Sequence, residues 1–106
     1  MTEAELQEHV RLMCAQLRLY HYHPHDSRRS TAGWPDSVII GRCGIIFREL
    51  KTQSGQLSGE QRQVGYLLAS QGLSWEVWRP ADLMAGTIGA QLAALAGLRV
   101  RTGAAG

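Results

Sequence analysis

The segment between residues 37 and 51 decides the fold, and it reads SVIIGRCGIIFRELK. Ser37 to Ile40 is a short apolar run, and Ile45 to Lys51 is a second run rich in residues that favour strands. The intervening Gly41-Arg42-Cys43-Gly44 carries the glycines that a tight turn requires. The segment therefore predicts a β-hairpin whose turn lies at residues 41–44.

Two acids and a lysine lie at the open end of this predicted hairpin. Side chains alternate between the two faces of a strand, so Glu49 and Lys51 project on the same side, about 6.6 Å apart along the backbone. Asp36 comes directly before the first strand, and an antiparallel hairpin places the start of its first strand beside the end of its second. We therefore expect Asp36 to lie near Glu49.

Two neighbouring carboxylates with an ammonium group suit a particular chemistry. Asp36 and Glu49 can hold a hard divalent cation such as Mg²⁺. Lys51 can orient a water molecule or stabilise the charge that develops on a phosphate. This set predicts metal-assisted hydrolysis of a phosphodiester. The alternative is an ordinary ion pair of Lys51 with either acid, because such pairs are common across strands.

The first helix is predicted over residues 3–18, with Thr2 as its cap. Its apolar stripe consists of Leu6, Val10, Met13, Cys14 and Leu17. Glu3 falls on the side of this stripe, where it is either a surface charge that reaches water or a group of the site. Gln7 flanks the same stripe and competes for that position, whereas Glu5 and Glu8 are expected to point away.

Downstream of the hairpin, the pattern predicts a helix, a strand and a last helix. Ser58 begins a helix that runs to about Gln71, and the S-x-x-Q spacing of Ser58 and Gln61 predicts a capping box. Gln61 could also face the active centre, and the two roles are compatible. Ser74–Trp78 is predicted to be a strand, and Asp82 to cap a helix over residues 83–95. The element order α-β-β-α-β-α predicts an α/β fold with a small mixed sheet of three or four strands between helices.

The composition sets limits on the class of protein. The chain has 106 residues, of which 44% are hydrophobic and 19% charged, which is typical of one folded domain. We expect that domain to span residues 1–96 and to be followed by a flexible tail at 97–106. Its net charge of +2 does not by itself indicate a nucleic-acid partner. Ten of its eleven Lys and Arg residues are Arg, which suits phosphate ligands but is also what a GC-rich genome would encode.

No apolar run approaches the roughly 20 residues needed to cross a bilayer. The two cysteines follow no secretory segment, so we expect a reducing, cytoplasmic compartment.

Several short motifs of this sequence occur together in one known family. They are Gly33-Trp34-Pro35-Asp36, Glu49-Leu50-Lys51 and Leu57-Ser58 followed by Gln61, flanked by Glu3 with Gln7, by His23 to Arg28 and by Trp78 to Asp82. Together they resemble the virus-type replication-repair nuclease domain, VRR-NUC, of the PD-(D/E)XK nuclease superfamily. The resemblance covers roughly residues 3–83.

This resemblance implies a restriction-endonuclease-like fold and a set of site residues. It implies that Asp36, Glu49 and the carbonyl of Leu50 bind Mg²⁺ or Mn²⁺, that Lys51 is the catalytic lysine and that Gln61 supports the site. Glu3 would supply the helix-one carboxylate, although Gln7 occupies the position where some relatives carry glutamate. Small members of the family are similar to Holliday-junction resolvases, which implies a homodimer that cuts branched DNA.

The segment that follows the first helix is rich in histidine and arginine. His23, Ser27, Arg28 and Arg29 are candidates for contacts with DNA phosphates, and Tyr20 or Tyr22 could stack on an unpaired base. Alternating His21, His23 and His25 leave a zinc site open as another interpretation, and a solvated loop is a third. A DNA-junction or DNA-end binding protein that does not cleave is the alternative to a nuclease.

Overall fold

The computed structural model describes residues 1–24 and 31–98. It is a mixed α/β fold with a four-stranded sheet in the order β1-β2-β3-β4, which confirms the predicted class. The elements are α1 (Glu3–Gln16), β1 (Tyr20–Tyr22), β2 (Ser37–Gly41), β3 (Gly44–Leu50), α2 (Gly59–Ser70), β4 (Ser74–Trp78), α3 (Pro80–Met84) and α4 (Thr87–Leu95).

The predicted hairpin forms as β2 and β3. The strands pair antiparallel from Ser37 opposite Arg48 to Gly41 opposite Gly44, which leaves Arg42 and Cys43 as the turn. Each strand therefore includes one glycine of the predicted turn, and β3 ends at Leu50 rather than at Lys51. The ladder continues past this end, because the backbone N–H of Lys51 donates to the carbonyl of Trp78.

Strand β1 lies in the segment after α1, where the predicted element order has no strand. Tyr20 pairs with Ile40 and Tyr22 pairs with Val38, so β1 extends the hairpin into an antiparallel meander. Its Tyr-His-Tyr alternation has the period of a strand, and aromatic residues are favoured there. The short length and the histidines hid this signal. Arg18, with φ of 56°, redirects the chain from α1 into β1.

The core lies between one face of the sheet and helices α1 and α4. It contains Leu6, Val10, Cys14, Ile39, Ile46, Leu50, Trp78, Ile88, Leu92 and Leu95. The predicted stripe of α1 therefore faces the sheet through its central members. Burial raises the pKa of the Cys14 thiol to about 11, as expected where a thiolate would lose its hydration.

A buried arginine on the core side of the sheet links neighbouring elements. Arg48 is 2% exposed, and its guanidinium donates to the carbonyl and hydroxyl of Ser74 and to the side chain of Gln91. It also lies 5.1 Å from the ring centre of Trp78 and 3.5 Å from the carboxylate of Glu76. Burial lowers the pKa of Arg48, and Glu76 opposes that shift. A buried charge needs such partners, so Arg48 joins β3 to β4 and α4.

Strand β4 has the predicted bounds, whereas the last helix differs from its prediction. Strand β4 runs parallel to β3, and α2 makes the crossover between them. The single helix predicted over residues 83–95 is divided into α3 and α4, because Gly86 adopts a φ of 80° between them. Asp82 does not cap a helix as its first flanking residue: it lies inside α3, where its carboxylate accepts from the backbone N–H of Arg79.

Two remaining predictions concern the ends of the domain and a membrane. Leu98 closes α4 by donating to the carbonyl of Ala93, while residues 99–106 of the expected tail lie outside the described residues. Within residues 1–24 and 31–98, no helix is both long and apolar enough to cross a bilayer.

Gly33 fixes the loop before β2 against the start of α2. Its φ is 87°, and a Cβ atom at this position would lie 2.3 Å from the carbonyl oxygen of Glu60. Gly72, which follows α2, has a similar φ of 76° but no atom within 4 Å of such a Cβ. The two glycines therefore share the same backbone strain for an L-residue, and only Gly33 adds a steric clash.

Replacing these glycines should separate strain from close packing. Gly72→Ala should lower the free energy of unfolding by about 1 kcal/mol, the usual cost of a left-handed alanine. Gly33→Ala should lower it by about 1–3 kcal/mol more, because the extra methyl must displace the backbone at Glu60. Urea denaturation of both variants measures the difference. Equal losses would show that the loop does not pack on α2 as described.

Candidate active site

Asp36 is held at the end of the hairpin by a backbone hydrogen bond. Its Oδ2 accepts from the N–H of Leu50 at 2.9 Å. Ser37 pairs with Arg48, so the ladder places Asp36 opposite Glu49. The structure therefore places Asp36 beside Glu49, as the register of the predicted hairpin requires.

Glu49 is buried beside Asp36, with 2% of its surface exposed. Its Oε1 accepts from the side-chain amide of Gln61 at 2.7 Å. Within the described part of the chain, its Oε2 has no hydrogen-bond partner although it is buried. An ionised carboxylate with an unsatisfied buried oxygen is costly, so this atom is open to a proton or a cation.

Gln61 has both of the roles that were predicted for it. Its amide oxygen accepts from the backbone N–H of Ser58 at 2.8 Å, and the Ser58 hydroxyl accepts from the N–H of Gln61, which completes the capping box. Its amide nitrogen donates to Glu49. One side chain therefore begins α2 and positions a carboxylate of the site.

The surroundings of Glu49 favour its neutral form. Burial, followed by the negative charge of Asp36, raises the pKa of Glu49 from 4.5 to about 8. The ammonium of Lys51 acts in the opposite direction. In the absence of a cation, a proton on Glu49 is therefore stabilised.

Lys51 lies directly after β3 and is half-buried. Its charge acts on Glu49, but Lys51 is not among the residues that line the cleft beside Asp36. The loop that follows Lys51 is fixed by Arg79, whose guanidinium donates to the carbonyls of Thr52 and Gly55, each at 2.7 Å. Arg79 was not predicted to support the site, because nothing in the local sequence links it to residues 52–55.

An open cleft of about 290 Å³ lies between α1 and the end of the hairpin. It is lined by Glu3, Ala4, Gln7, Glu8, His23, Asp36 and Leu50. Glu3 and Gln7 both border it, so the structure leaves open which of them belongs to the site. Glu8 also borders the cleft, but its side chain is exposed, as predicted for the side of α1 away from the apolar stripe, and its carboxylate binds Arg11.

His23 contacts the acid pair through the backbone. Its Nδ1 donates to the carbonyl of Asp36 at 2.7 Å. His21 lies 2.9 Å from the hydroxyl of Ser37 through its Nε2, and burial lowers the pKa of His21, assisted by the charges of His23 and Arg11. Through these contacts, the two histidines hold Asp36 and Ser37 at the start of β2.

The other residues predicted to touch DNA or zinc are Ser27, Arg28, Arg29 and His25, and they lie outside the described residues. Across residues 1–24 and 31–98, no group of three or more His, Cys, Asp or Glu side chains is arranged to hold a metal ion. The zinc interpretation therefore has no support from His21 and His23. A site for Mg²⁺ would have to use the two acids together with a backbone carbonyl.

Comparisons of the chain with protein-family models, with curated proteins and with solved structures gave no match. The cleft, the acid pair and their partners are therefore the basis for inferring a function.

The raised pKa of Glu49 predicts how stability depends on pH in metal-free protein. Below pH 4.5, Glu49 is protonated in both the folded and the unfolded chain. Between 4.5 and about 8 only the folded chain retains this proton, so the contribution of Glu49 to the free energy of unfolding falls as pH rises. Thermal melts in chelator should therefore show a decrease in Tm over this range, and the decrease should be smaller in Glu49→Gln.

Glu60→Gln is the control for this measurement, because Glu60 is exposed. It should keep the slope of the wild-type protein. A Glu49→Gln variant with the same slope as both would contradict the buried, proton-retaining state of Glu49.

Proposed function

We propose that this chain is a metal-dependent DNA endonuclease that hydrolyses phosphodiester bonds. The observation that carries the proposal is the pairing of buried Glu49 with Asp36, which lines the open cleft, while Glu49 Oε2 has no hydrogen-bond partner among residues 1–24 and 31–98. The resemblance of the same residues to the VRR-NUC motifs points to the same reaction.

The residues present fit a hard divalent cation that takes only a few of its ligands from the protein. Asp36 and Glu49 would supply carboxylate oxygens and Leu50 its carbonyl, and the remaining positions would be left to water, as Mg²⁺ and Mn²⁺ sites allow. The unsatisfied Oε2 is the atom that such a cation would neutralise. When bound, the cation would polarise a phosphate oxygen and make a water molecule more acidic.

The protein side chains divide the remaining work. Lys51 adds positive charge beside Glu49, where it would orient the attacking water or offset charge on the phosphate in the transition state. Gln61 holds Glu49 in place, and His23 fixes the backbone at Asp36. Glu3 or Gln7, at the border of the cleft, would contact a water molecule of the cation or the substrate.

The proposed substrate is branched DNA, cut by a homodimer in the manner of a Holliday-junction resolvase. Apart from the resemblance, the support is an exposed apolar area on the sheet face that carries Asp36 and Glu49. In it, Tyr20, Ile40 and Ile45 face each other across three strands and are 65%, 42% and 37% exposed. Two copies joined there would have two active sites related by a two-fold axis.

Cleavage of DNA in Mg²⁺ or Mn²⁺ tests the nuclease. On linear, flap, splayed and four-way substrates, Asp36→Asn and Lys51→Ala should each reduce the rate at least about 10²-fold, the usual effect of removing a group that stabilises transition-state charge. Chelator should abolish cleavage, and Glu60→Gln should cleave as the wild type does. Comparison of Glu3→Gln with Gln7→Ala identifies the helix-one site residue, since only that variant should lose activity.

Two outcomes would count against this proposal. Folded Asp36→Asn and Lys51→Ala proteins with unchanged rates would remove these residues from the reaction. Tight binding of branched DNA with no turnover in either metal would instead favour the non-cleaving DNA-binding protein.

Light scattering after gel filtration tests the dimer. The wild-type protein should have twice the mass of one chain, and Ile40→Lys should have the mass of one chain, because a buried charge at the contact is costly. Leu12→Lys is a matched control, since Leu12 is 47% exposed on α1. A wild-type monomer, or an Ile40→Lys dimer, would argue against contact through this face.

A further inference from the structure

A second groove lies beside α2, away from the cleft of the acid pair. It is bordered by the edge strand β4 and has a volume of about 380 Å³. Its lining consists of Leu57, Arg62, Gly65, Tyr66, Ala69 and Trp75. None of these residues has a part in the proposed reaction.

Gly65 creates the floor of this groove. A Cβ atom at Gly65 would lie 2.5–2.7 Å from three atoms of the Trp75 ring, so only glycine allows the indole to lie against the helix backbone. Glycine within a helix costs about 1 kcal/mol relative to alanine. In return, Trp75 is supported on one side by α2 while it remains partly exposed.

Arg62 and Tyr66 stand at the border of the groove on successive turns of α2. Tyr66 is 77% exposed. In the described part of the chain, Arg62 has neither a hydrogen bond from its side chain nor an acidic partner, unlike Arg11, Arg48 and Arg79. The groove therefore combines two accessible aromatic rings with a guanidinium that has no charged partner among the residues that the structure describes.

Two elements, α2 and the sheet, connect this groove to the acid pair of the candidate active site. Arg62 follows Gln61, which donates to Glu49. In the sheet, Phe47 pairs with Trp75 and Glu49 pairs with Val77, so Trp75 lies one strand over and two residues, about 6.6 Å, back from the level of Glu49. A chain bound at Glu49 could therefore reach Trp75 within a short distance.

We propose that this groove binds an unpaired nucleotide of the substrate, with its base on Trp75 and Tyr66 and its phosphate on Arg62. Aromatic side chains stack on any base, and arginine complements the phosphate. A base within a duplex does not expose its face, so the groove selects DNA with a single-stranded segment, such as a flap or a splayed arm. This inference rests on the proposed nuclease function and narrows its branched substrate from four-way junctions, whose arms are fully paired, to DNA that carries an unpaired strand.

Binding of a labelled oligothymidylate in chelator tests the groove without any cleavage. Tyr66→Ala and Arg62→Ala should each weaken binding of the full-length protein about 10-fold, within the range found for loss of one stacked base. Tyr66→Phe should bind as the wild type does, because it keeps the ring. Binding of a blunt duplex should be unchanged in Tyr66→Ala.

Matched controls are available on the same protein. Leu67→Ala removes another exposed side chain of α2, and Arg11→Ala removes a positive charge elsewhere. Both should bind the oligothymidylate as the wild type does. Equal weakening in Arg62→Ala and Arg11→Ala would reduce the effect to general charge and overturn the proposal.

Two further results for Tyr66→Ala would also overturn it. The first is oligothymidylate binding equal to that of the wild type. The second is a changed oligomeric mass with unchanged DNA binding, which would make the groove a contact between protein chains. The nuclease proposal is judged separately, because Asp36→Asn affects cleavage and leaves these residues intact. If the wild-type protein never cleaves DNA but the groove variants lose oligothymidylate binding, the groove proposal is supported and the nuclease proposal is rejected.

Discussion

The hydrogen bond from the Leu50 N–H to the Asp36 carboxylate is the contact on which the site depends. It lies just beyond the paired part of the β2–β3 hairpin, where the strands would otherwise be free to separate. Through it, a side chain from before β2 takes the place of a backbone partner at the end of β3. The same bond keeps Asp36 beside Glu49, so the ladder of the sheet and the spacing of the two acids have a common origin.

Burial then gives this acid pair its chemical character. Surface carboxylates at the same spacing would be hydrated, and they would repel each other only weakly. Glu49 is instead enclosed by β3 and the start of α2, which is the main reason why its pKa is raised. Lys51 offsets part of this effect. The result is a pair that holds a proton readily when no other cation is present, and such perturbed groups are typical of functional sites.

The sequence was sufficient to predict contacts that follow from local register. The hairpin, the capping box of α2 and the approach of Asp36 to Glu49 all depend on short spacings along the chain. It was not sufficient where distant segments meet: the bond of Arg79 to residues 52–55, the support of Arg48 by α4 and the carbonyl contact of His23. Strand β1 was missed because three residues with a histidine at the centre are too few to show the alternation of a strand. The division of the last helix was missed because a glycine such as Gly86 can occur within a helix or between two helices.

The double role of Gln61 restricts which residue can occupy that position. Its oxygen must accept from Ser58 and its nitrogen must donate to Glu49. Glutamate could begin the helix equally well, but it would place an acceptor in front of Glu49 Oε1 instead of the donor that Gln61 provides. Asparagine has both kinds of atom but is one methylene shorter. An amide of this length is thus the side chain that lets the folding of α2 and the charge state of Glu49 respond together, so that a disturbance at either end is transmitted to the other.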